Sequence, residues 1–305
     1  MARVVIAVNP LEARLVRLVR WNRTRKPGIG NSDRSNEGRG RVALVTGASA
    51  GIGRAYATVL AAKGFRVVVL ARRESKLTEL QAELQNRFDA TVDVLVCNLA
   101  DPDAVATITT KLSQLGVDID YLVNNAGSCV MGAFLDQPWE AHETVLRGVA
   151  VLPARLCHEL MPTMVQKGWG RVVNVASVSG LYAGSPLMTM YSPAKSFLLK
   201  LTETLAQEYE EKGINVTCCI PGATATEFFE ANRMATFGET LKAQAPMMRP
   251  ETVARQAYEA CERKKRVIIH GWHHKILMVL AVHGWPKLRY GFVHAIAVRG
   301  VVFDD

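Results

Sequence analysis

From Arg41 onward, short apolar runs alternate with longer stretches in which apolar residues recur every three or four positions. The short runs predict strands at 42–46, 66–70, 92–97, 119–123, 171–176, 214–220 and 266–270. The longer stretches predict helices at 52–63, 74–88, 102–115, 139–166 with an interruption, 190–212 and 251–262. Strands alternating with helices of this length predict an α/β fold, a doubly wound parallel sheet of Rossmann type with about seven strands. Pro193 does not disturb the helix it begins, because the first turn has no partner for its N–H.

The two ends break this rhythm. Residues 1–40 open with an apolar run, then place Leu11, Leu15, Leu18 and Val19 at helical spacing with Arg14, Arg17 and Arg20 between them. That is a basic amphipathic segment, followed from Pro27 to Gly40 by a Gly-, Asn-, Ser- and Arg-rich linker. The expected organisation is an extension at 1–40, a catalytic domain at 41–270 and a tail at 271–305. In the tail, an apolar run too short to span a bilayer is bounded by Trp272, Lys275, Trp285, Lys287 and Arg289. Such a segment suits a lipid headgroup boundary, a lid over a substrate mouth or a contact between subunits.

Charge follows the same division. The chain carries +9, with nine basic and three acidic side chains in residues 1–40 and eight and two in 263–305. The body between them is nearly neutral, so no nucleic-acid partner is expected, since such a protein needs a basic working face. The basic ends fit peripheral contact with an anionic surface. Six cysteines, at 97, 129, 157, 218, 219 and 261, form no Cys-x-x-Cys pair, and no histidine set has metal-ligand spacing. The expectation is a reduced, cytoplasmic protein without a metal, with membrane association through its tail as a further reading.

Candidate chemistry gathers where the strands end. Thr46-Gly47-Ala48-Ser49-Ala50-Gly51-Ile52-Gly53 joins the first strand to the first helix. Glycines there let the backbone approach a pyrophosphate, and the helix N-terminus attracts it, so Gly47, Ser49, Gly51, Ile52 and Gly53 are candidate cofactor contacts. After the second strand stand Arg72 and Arg73, where an acid would select NAD(H); Arg72 can pair with a 2′-phosphate, which favours NADP(H). A merely solvated arginine pair is the plainer alternative. Asn98 and Leu99 after strand three suit an adenine edge. Asn125, Ala126 and Gly127 after strand four, and Pro221, Gly222, Thr224 and Thr226 after strand six, complete the cofactor candidates.

Strand five empties at Ser177, and Tyr191 and Lys195 lie four apart on the next helix, on one face. A phenol titrates near pH about 10, so acid–base work at neutrality needs roughly 4 kcal/mol of favourable interaction. One positive charge at about 4 Å supplies that at an effective dielectric near about 20. Lys195 is therefore expected to make Tyr191 a usable acid or base, with Ser177 bonded to a carbonyl oxygen.

These motifs, in this order, resemble the short-chain dehydrogenase/reductase family over about residues 41–270. The matching pieces are the glycine loop, Asn124-Asn125-Ala126-Gly127, Ser177, Tyr191-x-x-x-Lys195 and Pro221-Gly222-x-x-x-Thr226. The stretch from Pro186 to Tyr191 is similar to the branch with 17β-hydroxysteroid dehydrogenases and long-chain 3-oxoacyl reductases. The resemblance implies hydride transfer between a nicotinamide and a carbonyl or secondary alcohol of a lipophilic substrate, in a protein that forms homo-oligomers. In it, Tyr191 is the acid/base, Ser177 polarises the carbonyl, and Lys195 tunes Tyr191 and holds the nicotinamide ribose. Apolar residues near the expected pocket, Val130, Met131, Leu187, Met188 and Phe228, favour a lipophilic molecule, with ordinary core packing as the plainer alternative. Many members add an asparagine that supports a relay water; the corresponding position here is Val149, which cannot hydrogen-bond. That departure leaves a second reading, a dinucleotide-binding protein with little catalytic activity.

Overall fold

Every strand read from the apolar runs forms: β1 (Val42–Thr46), β2 (Arg66–Ala71), β3 (Val92–Val96), β4 (Tyr121–Asn124), β5 (Gly170–Val175), β6 (Ile214–Ile220) and β7 (Val267–Ile269). They make one sheet in the order β3-β2-β1-β4-β5-β6-β7, with every neighbouring pair parallel. The helices are α1 (Gly51–Ala62), α2 (Glu74–Phe88), α3 (Ala104–Gln114), α4 (Trp139–Leu146), α5 (Leu152–Lys167), α6 (Tyr191–Tyr209), α7 (Phe228–Ala231) and α8 (Pro250–Glu262). This computed structural model describes residues 35–181, 184–232, 234, 238–239 and 247–271. The readings made for residues 1–34 and 272–305 therefore lie outside the described residues.

Side-chain alternation along the strands splits the core into two layers. Ala43, Val45, Val67, Val69, Tyr121 and Val123 face α1, α2 and α8, where they meet Tyr56, Leu60, Leu80, Leu84 and Ala257. Leu44, Val68, Leu70 and Leu122 face the other way, against Ile108, Leu112, Leu156, Met161 and Met164 of α3 and α5. Burying each such leucine contributes about 1.5–3 kcal/mol, so a sheet covered on both faces is the stable arrangement for strands this apolar.

Three expectations need adjusting. The interruption in the helix at 139–166 is a π turn, Arg147–Val151, which joins α4 to α5 without ending the helix. Residues 228–231 form the short helix α7 inside what reads as loop. The last part of the expected linker is fixed rather than free: Ser35 N–H donates to Ala62 O and Gly38 N–H to Lys63 O. Glu37 accepts from Tyr258 Oη at 2.8 Å and from Lys63 Nζ at 3.4 Å. A Gly- and Ser-rich composition does not reveal that one acid in it has a buried tyrosine to meet.

A buried polar ladder crosses the second layer. Asn124 Nδ2 donates to Asn174 Oδ1 at 2.9 Å, and Asn174 Nδ2 donates to Thr202 Oγ1 at 2.9 Å. It ties β4, β5 and α6 together beneath the sheet edge, with Asn174 and Thr202 both fully buried. Asn174→Ala leaves a buried donor and acceptor short of partners, which predicts a loss of about 2–3 kcal/mol in urea unfolding. A change within about 0.5 kcal/mol, as for ordinary surface substitutions, would show that the ladder contributes nothing.

Candidate active site

All seven strands point the same way, so the loops after them meet at one edge. The chain builds β1, β2 and β3 to one side, then crosses to β4 on the other, and the crevice opens at that reversal. Thr46 and Asn125 tie its two lips together. Thr46 Oγ1 donates to Val123 O at 3.2 Å and accepts from the N–H groups of Asn125 and Ala126 at 3.0 and 3.1 Å. Asn125 Nδ2 donates to Thr46 O and Gly47 O at 3.0 and 3.3 Å. The Asn125 amide, expected at the cofactor, is thus turned onto the glycine loop. Gly47 and Gly51 hold φ of +68° and +56°, a left-handed backbone that glycine adopts without strain. At Gly47 a Cβ would also stand 2.8 Å from Asn125 Nδ2.

The loop delivers the N-terminus of α1 to the crevice. Ala50 caps the helix with no side-chain bond, and no acid stands in its first turn. Its free N–H groups and positive dipole end fit a dinucleotide pyrophosphate. Across the crevice, Pro221 O accepts from Val178 N–H at 3.0 Å. Thr224 Oγ1 donates to Gly222 O, while Thr226 Oγ1 accepts from Phe228 N–H at 3.3 Å. Thr226 also lies on the glycine loop, its Cγ2 2.8 Å from where a Cβ on Gly51 would be. Ile52 is turned partly toward the core.

The adenosine side differs in detail from expectation. Arg72 is exposed at the end of β2, and no described residue pairs with it. Its neighbour Arg73, not singled out from the sequence, is engaged instead. Its Nη2 and Nε donate to Ser49 Oγ at 3.0 and 3.3 Å, and its Nη1 lies 2.6 Å from Glu227 Oε2. No local pattern pairs Arg73 with Glu227, because the two are distant in sequence. After β3, Asn98 is exposed and accepts from Ala100 N–H at 3.4 Å, whereas Leu99 packs against the core.

The expected catalytic groups do come together. Ser177 ends β5 on a tight turn whose Gly180 lies against α6. A Cβ at Gly180 would stand 2.8 Å from the Lys195 carbonyl carbon, so only glycine allows the approach. Ser196 Oγ donates to Gly180 O and fixes the turn. Ser177 Oγ then accepts from Ser179 N–H and Oγ at 3.2 and 3.0 Å and lies near enough to the Tyr191 phenol to oppose the rise in its pKa. Lys195 Nζ donates to Val175 O at 2.7 Å and sits 5.6 Å from the Tyr191 ring centroid.

Burial, not the ammonium, dominates the electrostatics. It pushes the Tyr191 phenol above its ordinary value; the Cys129 thiol adds to the rise and Ser177 opposes it. The expectation that Lys195 lowers the phenol therefore does not hold for the protein alone. The same burial brings Lys195 down to about 8, opposed by the thiols of Cys218, Cys219 and Cys129. At neutral pH Tyr191 is a protonated phenol, set to give a proton.

One wall of the site is apolar. Cys129, Val145, Val149, Ala150, Ala194 and Met234 cluster around Tyr191, with Val130, Met131, Met188 and Phe228 packed on them. The Phe228 ring lies 5.7 Å from that of Tyr191. Leu187 is held near them by its carbonyl, which accepts from Gly132 N–H at 2.9 Å. Val149 is fully buried in the π turn. A Cβ at Gly127 would stand 3.6 Å from Val149 Cγ2 and 3.5 Å from Lys195 Nζ, so methyl and ammonium flank the same backbone.

Comparison with known proteins agrees with this geometry. The sequence is 31% identical over 247 residues to a 7beta-hydroxysteroid dehydrogenase of Mediterraneibacter gnavus, covering 81% of this chain and 90% of that one. It is 29% identical over 268 residues to a very-long-chain 3-oxoacyl-CoA reductase of Macaca fascicularis, covering 86% and 81%. Among solved structures, a short-chain dehydrogenase from Sphingobium yanoikuyae in complex with NADPH superimposes with a TM-score of 0.69. The two are 31% identical, over 76% of this chain and 89% of that one. The short chain dehydrogenase family model matches residues 41–236. With its parallel sheet and glycine loop, and with Ser177, Tyr191 and Lys195 gathered at one strand edge, the chain belongs to the short-chain dehydrogenase/reductase family of oxidoreductases.

Proposed function

We propose that this protein is an NADP(H)-dependent oxidoreductase acting on a carbonyl or secondary alcohol of a lipophilic substrate. The observation that carries the reading is the gathering of Ser177, Tyr191 and Lys195 at the strand edge that carries the glycine loop, with Lys195 Nζ anchored on Val175 O and an apolar wall around Tyr191. A nicotinamide bound on the glycine loop would supply the hydride chemistry, to a carbonyl carbon or from an alcohol carbon. Ser177 donates a hydrogen bond to the substrate oxygen and fixes it beside Tyr191. Tyr191, protonated at neutral pH, gives its proton to that oxygen as the carbon is reduced. Lys195, anchored on Val175 O, holds a positive charge under the phenol as it loses that proton. Cofactor contacts are assigned to the glycine loop, Arg72 and the loops at 125–127 and 221–226. The names of the relatives, a hydroxysteroid dehydrogenase and a long-chain acyl reductase, support an apolar substrate, and the NADPH-bound neighbour supports the cofactor.

Val149 favours one competing reading, a dinucleotide-binding protein with little turnover, since a buried methyl stands where a relay amide would be. NADPH consumption against a panel of ketones, aldehydes and acyl substrates separates the two. Tight cofactor binding without turnover on any of them would favour the binding protein.

Tyr191→Phe is expected to keep the fold and cofactor affinity but lose turnover by about three orders of magnitude, the upper range for a positioned acid. Near-normal turnover in that variant would sink the assignment. Arg72→Ala is expected to weaken NADP(H) by about 1.5–3 kcal/mol, the contribution of a charge-assisted bond, and to leave NAD(H) nearly unchanged. Equal affinity of the unmodified protein for both cofactors would contradict the choice of NADP(H).

The buried lysine also predicts a pH signature in the free protein. Lys195 titrates at about 8 when folded against an ordinary 10.5, so between those values the unfolded chain binds the extra proton and stability due to this group rises with pH. Lys195→Met removes that dependence. Its stability relative to the unmodified protein is expected to be highest below pH about 8 and to decline steadily toward 10.5. A difference in melting temperature that stays constant across this window would mean that Lys195 is not held at a lowered value.

A further inference from the structure

The contact between Arg73 and Glu227 is not required by either element that carries it. Arg73 follows β2, Glu227 follows β6, and Ser49 of the glycine loop lies between them as the second partner of the guanidinium. The side chains are 47% and 44% exposed, so water and solutes reach the pair from the crevice. At this corner, beside the end of β2 and above the glycine loop, a doubly wound sheet reads the ribose of a bound dinucleotide. An arginine here is a receptor for a 2′-phosphate, and a carboxylate uses the same donors that a phosphate would. In this chain that receptor already holds an anion of its own.

We propose that Glu227 is a specificity-determining residue whose carboxylate stands in for the 2′-phosphate on Arg73 and so limits the preference for NADP(H) over NAD(H). The inference rests on the NADP(H) reading given above. To engage the phosphate, Arg73 must release Glu227, whereas NAD(H), lacking the phosphate, can bind with the pair intact. The released carboxylate would face a cavity of about 930 Å³ between α1, α2 and α8, lined by Arg54, Arg87 and Arg249 but also by Glu83, Glu230, Glu239 and Glu251, with Arg54 already paired to Glu83, so the exchange carries a cost. Arg72, unpaired by any described residue, takes the phosphate without such an exchange. Two neighbouring arginines thus differ in function because only one is already occupied.

The test is equilibrium titration of NADP+ and NAD+ by calorimetry on the full chain, unmodified and as Glu227→Gln, Arg73→Gln and the double variant. Melting curves confirm that each is folded, and Glu227→Ala serves as a second removal of the carboxylate. An exchangeable surface pair predicts that Glu227→Gln raises the ratio of the NAD+ to the NADP+ dissociation constant by about two- to fivefold. That gain should shrink in high salt and vanish in the Arg73→Gln background. An unchanged ratio in both Glu227 variants, with clear binding of NADP+, would overturn the inference and leave the NADP(H) reading standing. A lowered ratio would overturn it too, showing that Glu227 positions Arg73 for the phosphate. If the unmodified protein binds neither dinucleotide, the reading beneath fails and the inference falls with it.

Discussion

Two side chains bonded to backbone groups govern the geometry of this site: the hydroxyl of Thr46 and the amide of Asn125. Between them they satisfy backbone groups from the ends of β1 and β4, the two strands between which the crevice opens. Sheet pairing fixes β1 against β4, and the tie through Thr46 and Asn125 carries the alignment past the last ladder bond into the glycine loop and the turn with Gly127, the backbone that Lys195 and Val149 flank. Parallel strands alone bring loops to one edge. The tie sets how far apart those loops stand, and so where a dinucleotide can be held relative to Tyr191.

Burial and charge compete at Tyr191 and Lys195, and magnitude decides between them. A cation at about 4 Å in a moderately screened site would bring a phenol into the neutral range. Here the phenol is 9% exposed, and the cation itself gives way, moving to about 8. The consequence, in the protein alone, is a protonated phenol beside a lysine held below its ordinary value.

Much of the fold was legible because its signals are local. Apolar runs of the right length gave all seven strands, and the glycine spacing marked the crevice before any contact was known. Ser177, Tyr191 and Lys195 were legible for the same reason, each lying at a strand end or on one helical face. What stayed hidden depends on contacts between distant segments. Arg73 and Glu227 are far apart in sequence and share no pattern. The bonds of the Asn125 amide to Thr46 O and Gly47 O are hidden for the same reason, since those partners lie far away in the sequence. The π turn at Arg147–Val151 keeps helical periodicity on both sides, so the sequence registers only a hesitation there.

Glu37 gives the chain a boundary that motif matching misses. By accepting from Tyr258 and Lys63, it clips a segment ahead of β1 onto α8 and the end of α1. The family match stops at residue 236, before α8 and β7 begin. Yet Val253, Ala254 and Ala257 of α8 are fully buried in the first core layer, and β7 completes the pairing of β6. The packed body that holds the catalytic motifs thus extends past them on both sides, to the segment around Glu37 ahead of β1 and to α8 and β7 after the family match, with Glu37 bonded directly to Tyr258 of α8.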